Sequence, residues 1–106
     1  MKLESIALHY GYESDKNDQK SATTPIYQTS GFTIDNTLHG ADLFDLKVDG
    51  NIYSRIGNPT NAVLEKRIAE LEGGIAALSL ASGMTAISYS IQTITSAGDN
   101  IVSTNQ

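Results

Sequence analysis

The stretch "IAALSLASGMTAISYSIQTITSAGDNIVST", Ile75 to Thr104, decides how the chain is read. It opens on a short apolar run, Ile75 to Ala81, bounded by Gly73 and Gly74 on one side and by Ser82 and Gly83 on the other. A run of that length without polar alternation suits a strand buried on both faces. From Ser82 the period changes. Met84, Ile87, Ile91 and Ile94 recur at three and four residues, the spacing of one helix face, and Gly98 is the expected stop. "DNIVST", Asp99 to Thr104, reads as a second strand. Strand, helix and strand in that order predict a βαβ unit and therefore an α/β fold with a parallel sheet. Two parallel strands need further neighbours and cover on both faces, and the sequence stops at Gln106 where the next element is due. The expectation is an incomplete α/β domain, a fragment.

The element before this stretch is equally readable. In "GNPTNAVLEKRIAELEGG", Asn58 is placed to cap a helix whose first residue is Pro59, and Gly73 and Gly74 supply the stop. Leu64, Ile68 and Leu71 at i, i+4 and i+7 predict an amphipathic helix. Residues 1–57 read differently. "SDKNDQKSATTP" is loop-like, "IYQTSGF" is a short extended piece, and "DNTLHGADLFDLKVDG" is a weak helical turn running into an acidic loop. Four of the five tyrosines and both phenylalanines fall in this half, yet no sustained period builds a core. Two parts are expected: residues 1–57, packing on something outside themselves, and residues 58–106, the start of an α/β domain.

Composition narrows the function. In 106 residues the formal net charge is −5, with lysines and arginines scattered, so no basic stripe exists to neutralise phosphates along a nucleic acid. A small anion needs only local positive charge and remains open. Without cysteine there are no disulfides and no thiolate metal sites. His9 and His39 lie far apart with no ligand pattern around them, so they read as surface or packing residues, and no metal site is expected. Neither a signal-peptide-like start nor a membrane-length apolar run is present, and the expected compartment is the cytoplasm.

Two short stretches present donors for an anion. In "NIYSRIGNPT" an extended backbone would send Tyr53 and Arg55 to one side, offering a phenol and a planar guanidinium fork to a phosphate or carboxylate, with Ser54 facing away. The same residues also suit a strand-end tyrosine beside a solvated arginine. In "ASGMTA" the amides of Gly83, Met84 and Thr85 would be unpaired at a helix start, where the helix dipole favours an anion, and glycine permits close approach. Ser82 acting only as a cap is the competing reading. Neither a P-loop nor a GxGxxG fingerprint is present, which counts against a nucleotide.

The order "PIYQTSGF", "NIYSRIGNPTNAVLEKRIAELEGG" and "SLASGMTAI" resembles the N-terminal part of the cysteine and methionine metabolism family of pyridoxal-phosphate enzymes, from about Leu8 to Gln106. The resemblance implies the arm and first βαβ portion of a fold-type I transferase large domain, with pyridoxal 5'-phosphate as cofactor. It implies that Tyr53 and Arg55 reach from one subunit to hold the phosphate in its neighbour, while Ser82, Gly83 and Met84 cradle a phosphate within the subunit. Sharing of sites implies a homodimer, assembling further to a tetramer. The stretch from Asp35 to Asn61, with Ala41-Asp42-Leu43-Phe44 ahead of Tyr53, is most like the O-acetylhomoserine sulfhydrylase branch. That branch replaces acetate on an amino-acid substrate by sulfide or a thiol. Cystathionine γ-synthase, cystathionine lyase and methionine γ-lyase belong to the same family and stand as alternatives, as does a non-catalytic anion-binding fragment. No catalytic residue is assigned here. Lys2, Lys16, Lys20, Lys47 and Lys66 lack the surroundings of the family's cofactor-bearing lysine, so the chain alone is not expected to be active.

Overall fold

The computed structural model describes residues 1–105. Its α-helices are α1 (Leu3–His9), α2 (Thr37–Phe44), α3 (Pro59–Glu72) and α4 (Gly83–Ile94), with a single 3-10 turn at Ser14–Lys16. Gln106, the last residue of the expected second part, lies outside the described residues.

The helix signals around α3 hold. Asn58 is the cap, its side chain accepting from the Thr60 amide at 2.9 Å, with Pro59 at the first helical position, where its missing N–H costs nothing. Gly73 ends the helix in the left-handed conformation, φ 66°, and Gly74 N–H closes back on Ala69 O at 2.8 Å. The apolar stripe is another matter. Leu64 and Ile68 stay exposed, and Ala69 is the helix residue that becomes buried. The face of α3 that finds a partner meets α1, a helix for which the sequence reading assigned no element. Gly11 follows α1 with φ +86°, and a Cβ there would stand 2.9 Å from Val63 O and 3.2 Å from Lys66 Cβ. Only glycine lets the backbone turn this close to α3.

The expected βαβ unit is not formed. Residues 75–81 and 99–104 hold no strand, and the one β-bridge among the described residues pairs Gly31 with Tyr53, antiparallel. The reason is pairing. A parallel strand exists only through hydrogen bonds to a neighbour, and neither segment has a neighbouring strand among the described residues. Ile75 and Val102, expected inside a sheet, are 106% and 98% exposed. The helix between them is present with its Met84, Ile87 and Ile91 face uncovered, and it stops at Ile94 rather than near Gly98. Past its end the Ser96 amide donates to Asp99 Oδ2 at 2.7 Å, not to a carbonyl of the helix.

Little is buried. Leu43 of α2, 3% exposed, sits against Gly50, and with Ala69 it completes the buried hydrophobic residues among those described. The accessible surface is 9001 Å², whereas a compact monomer of 11.3 kDa exposes about 5,700 Å². The radius of gyration, 17.6 Å, compares with about 13 Å for a compact body of this length.

Candidate functional site

The Tyr53–Arg55 pair is held by a knot of hydrogen bonds at the start of α3. Asn58, 8% exposed, turns its Nδ2 away from the helix and donates to Tyr27 O (2.8 Å) and Ser54 Oγ (3.0 Å) while its Oδ1 caps the helix. Thr60 Oγ1 accepts from Tyr27 N (2.9 Å) and donates to Pro25 O (3.0 Å). Ser54 Oγ donates to Thr29 O, and its amide donates to Ser30 O at 2.8 Å. Thus "PIYQTS" is stapled across the turn that carries the candidate residues.

That turn corrects the sequence reading. Tyr53 to Ile56 is not extended: the amides of Ile56 and Gly57 both close on Tyr53 O, at 2.9 and 3.1 Å. The i, i+2 geometry of a strand therefore does not align Tyr53 with Arg55. They meet because the turn folds the guanidinium back over the phenol, with Arg55 Cζ 5.4 Å from the ring centroid, a cation–π distance. Both are exposed, and Arg55 makes no ion pair among the described residues. Its remaining N–H groups face solvent. Ser54 does point elsewhere, into the knot.

At the second stretch Ser82 has extended backbone, φ −149° and ψ 151°, and caps α4. Its Oγ accepts from the Thr85 amide at 3.1 Å and shares a hydrogen with Thr85 Oγ1 at 2.8 Å. The Thr85 amide is thus not free, contrary to expectation, because the cap takes it. Gly83 and Met84 remain at the helix start, where no i−4 carbonyl exists for their amides. A Cβ on Gly83 would meet nothing within 4 Å. Packing inside this chain does not demand glycine there, and the space above it is open to a ligand.

The two stretches are not brought together. Among the described residues no hydrogen bond or ion pair joins Tyr53 and Arg55 to residues 82–84. Three of the five lysines are occupied elsewhere: Lys16 pairs with Glu13 at 2.7 Å, Lys47 with Asp45 at 2.8 Å, and Lys20 donates to Asp15 O at 2.8 Å. Among the described residues no helix is long and apolar enough to cross a membrane.

Sequence reasoning missed the outer role of Asn58 and the contribution of Thr60, whose bonds reach 31 to 35 residues back. It also missed Glu65, whose Oε1 accepts from both Ser79 N and Ser79 Oγ at 2.8 Å. A capping motif announces the near partner of Asn58. Nothing local announces the distant ones.

Comparison with known proteins identifies the family. The family model "Cys/Met metabolism PLP-dependent enzyme" matches residues 4–106. The chain is 52% identical over 104 residues to O-acetyl-L-homoserine sulfhydrylase 1 of Thermus thermophilus, covering 98% of this chain and 24% of that protein. It is 48% identical over 104 residues to the homocysteine/cysteine synthase of Saccharomyces cerevisiae, covering 97% of this chain and 23% of that one. A Campylobacter jejuni crystal structure described as an O-acetylhomoserine (thiol)-lyase with N'-pyridoxyl-lysine-5'-monophosphate superposes with a TM-score of 0.86 at 40% identity, over 93% of this chain and 24% of the other. The chain spans about a quarter of the length of these relatives. It belongs to the Cys/Met metabolism family of PLP-dependent enzymes.

Proposed function

We propose that the chain is the N-terminal portion of a cytoplasmic PLP-dependent O-acetylhomoserine sulfhydrylase, replacing acetate on O-acetyl-L-homoserine by sulfide or a thiol. The observation that carries this reading is the identity of about half of all positions with enzymes of that name over nearly the whole segment. Residues 1–57 form the arm of such a subunit and residues 58–106 the opening of its cofactor domain. Active-site sharing makes the working unit a dimer, assembling to a tetramer.

The residues present fit the phosphate of the cofactor. Arg55 offers a guanidinium fork without an ion pair among the described residues, lying over the Tyr53 ring, both side chains exposed on a turn held by Asn58 and Ser54. Gly83 and Met84 offer amides at the positive end of α4, under open space. Ser82 Oγ accepts from the Thr85 amide and shares one hydrogen with Thr85 Oγ1, which leaves a hydroxyl of this pair within reach of a phosphate oxygen at the helix start. Within the reading, the first set serves the neighbouring subunit and the second its own, which accounts for their separation in one chain. When bound, pyridoxal phosphate supplies the electron sink that makes substitution at the amino-acid side chain feasible. The part of this segment is to grip the phosphate from two sides and so fix the orientation of the ring.

The test uses the complete polypeptide carrying this segment, assayed for sulfide-dependent release of acetate from O-acetyl-L-homoserine. Arg55→Ala is expected to weaken cofactor binding by about 1.5–3 kcal/mol, the worth of a charge-assisted contact. Mixed with a variant lacking the cofactor-bearing lysine, Arg55→Ala should regain activity in hybrid dimers, since one site per hybrid then has both groups intact. Absence of complementation removes the cross-subunit role; absence of the activity removes the enzyme assignment.

A further inference from the structure

From the two hydrogen bonds on one carboxylate oxygen we infer that Glu65 is a positioning residue for the phosphate cradle at Ser82–Met84. The inference rests on the reading of that cradle given above.

After Gly73 reverses the chain, residues 74–77 run back beside α3 and line a groove with Ala62, Glu65 and Ala69. Along this path the attachment by hydrogen bond to α3 is Ser79, whose amide and hydroxyl both reach Glu65 Oε1 at 2.8 Å. Each is a charge-assisted bond to a part-buried carboxylate, the stronger class of hydrogen bond. Three residues later comes Ser82, so at most about 10 Å of backbone separates the anchor from the cradle. Through these two bonds Glu65 ties the segment that leads into Ser82 to α3. The same helix holds the Tyr53–Arg55 turn through Asn58 and Thr60. Thr60 and Glu65 stand five positions apart on α3, about 7.5 Å along its axis. One rigid helix therefore sets both phosphate-directed stretches.

The experiment compares pyridoxal phosphate with pyridoxal, which lacks the phosphate, by equilibrium titration of the complete apo-polypeptide, read by cofactor absorbance. If Glu65 acts through the cradle, Glu65→Ala weakens pyridoxal phosphate about tenfold, the worth of one or two hydrogen bonds, and leaves pyridoxal unchanged. Ser79→Ala keeps the amide bond and should lose about threefold. Glu65→Gln retains an acceptor oxygen and should restore most of the loss. Gly83→Val and Arg55→Ala serve as references, because both touch the phosphate directly in the functional reading. If neither reference changes the preference for the phosphorylated form, that reading fails. If both do and Glu65→Ala weakens the two ligands equally or not at all, the positioning role of Glu65 is overturned. Should Glu65→Ala not fold, Ser79→Ala decides: a loss confined to the phosphorylated ligand upholds the role, and an equal or absent loss overturns it.

Discussion

Ahead of α3, residues 1–57 are tied to the helix by side chains spanning 31 to 57 residues of sequence, whereas behind it residues 75–105 reach it by hydrogen bond through Glu65. The front flank also packs, through α1 and the close approach of Gly11 to Val63. The rear flank holds a capped helix with an uncovered apolar face and two apolar segments with no strand partners among the described residues. The difference separates two ways of specifying structure. The front flank is specified by polar groups that satisfy one another within the segment, while the rear flank is specified by an apolar pattern that needs a surface to bury against.

The largest expected effect breaks the front flank at Asn58. Asn58→Ala removes the cap and both Nδ2 donors, leaving Tyr27 O and Ser54 Oγ short of a partner near the buried end of α3. A loss of about 2–4 kcal/mol in urea unfolding of the complete polypeptide is expected. Asn58→Asp sharpens the comparison, since it keeps the cap and loses only the distant bonds. If Asn58→Asp is as stable as the parent, the long-range ties do not matter and the two flanks are held alike.

A smaller loss is expected at Gly11. Gly11→Ala forces a Cβ to within 2.9 Å of Val63 O at a positive φ, for about 1–3 kcal/mol of strain. Smaller again is Ser82→Ala on the rear flank. It removes the α4 cap and nothing distant, so about 1 kcal/mol is expected. Ser82→Asp keeps a cap but places negative charge beside the cradle, and so should spare stability while weakening binding of the phosphorylated cofactor. Equal losses from Ser82→Ala and Asn58→Ala in the unfolding measurement would erase the contrast between local and distant support.

What was legible follows the same division. Helices α3 and α4 were readable because Asn58, Pro59, Gly73, Ser82 and the three-four spacing of apolar residues act within a turn or two. The Tyr53–Arg55 pair was readable as chemistry but not as geometry. Its turn depends on Ser54, Asn58 and Thr60 bonding to residues 25–30, and no local pattern encodes such pairings. The strands were misread for a related reason: a buried-strand composition states a need for neighbours without supplying them, and residues 75–81 take the hydrogen bonds that Glu65 offers instead. Helix α1 was missed because it is short and buries nothing by itself, acquiring its place only against α3.

The smallest expected effect tests how the front flank meets α3 at its far end. Arg67 Nε donates to Tyr10 O at 2.9 Å, and the Tyr10 hydroxyl faces Glu70, about one turn of helix on from Arg67. The hydrogen bond to the Glu70 carboxylate, then its negative charge, then slight desolvation, raise Tyr10 above the ordinary phenol value. A group whose folded value is raised stabilises the fold fully below its unfolded value, about 10, and loses that contribution as pH climbs through the folded value. Tyrosinate absorbance of the complete polypeptide, taken as a difference against Tyr10→Phe, should therefore place Tyr10 above an ordinary tyrosine, and Glu70→Gln should lower it. The stability advantage of the parent over Glu70→Gln should be full below the ordinary phenol value and shrink as pH climbs through the raised value of Tyr10. If Tyr10 titrates identically with and without the Glu70 carboxylate, this tie is absent in solution, and the front flank is anchored to α3 by the Asn58 knot, the Arg67 bond and the packing of α1 and Gly11.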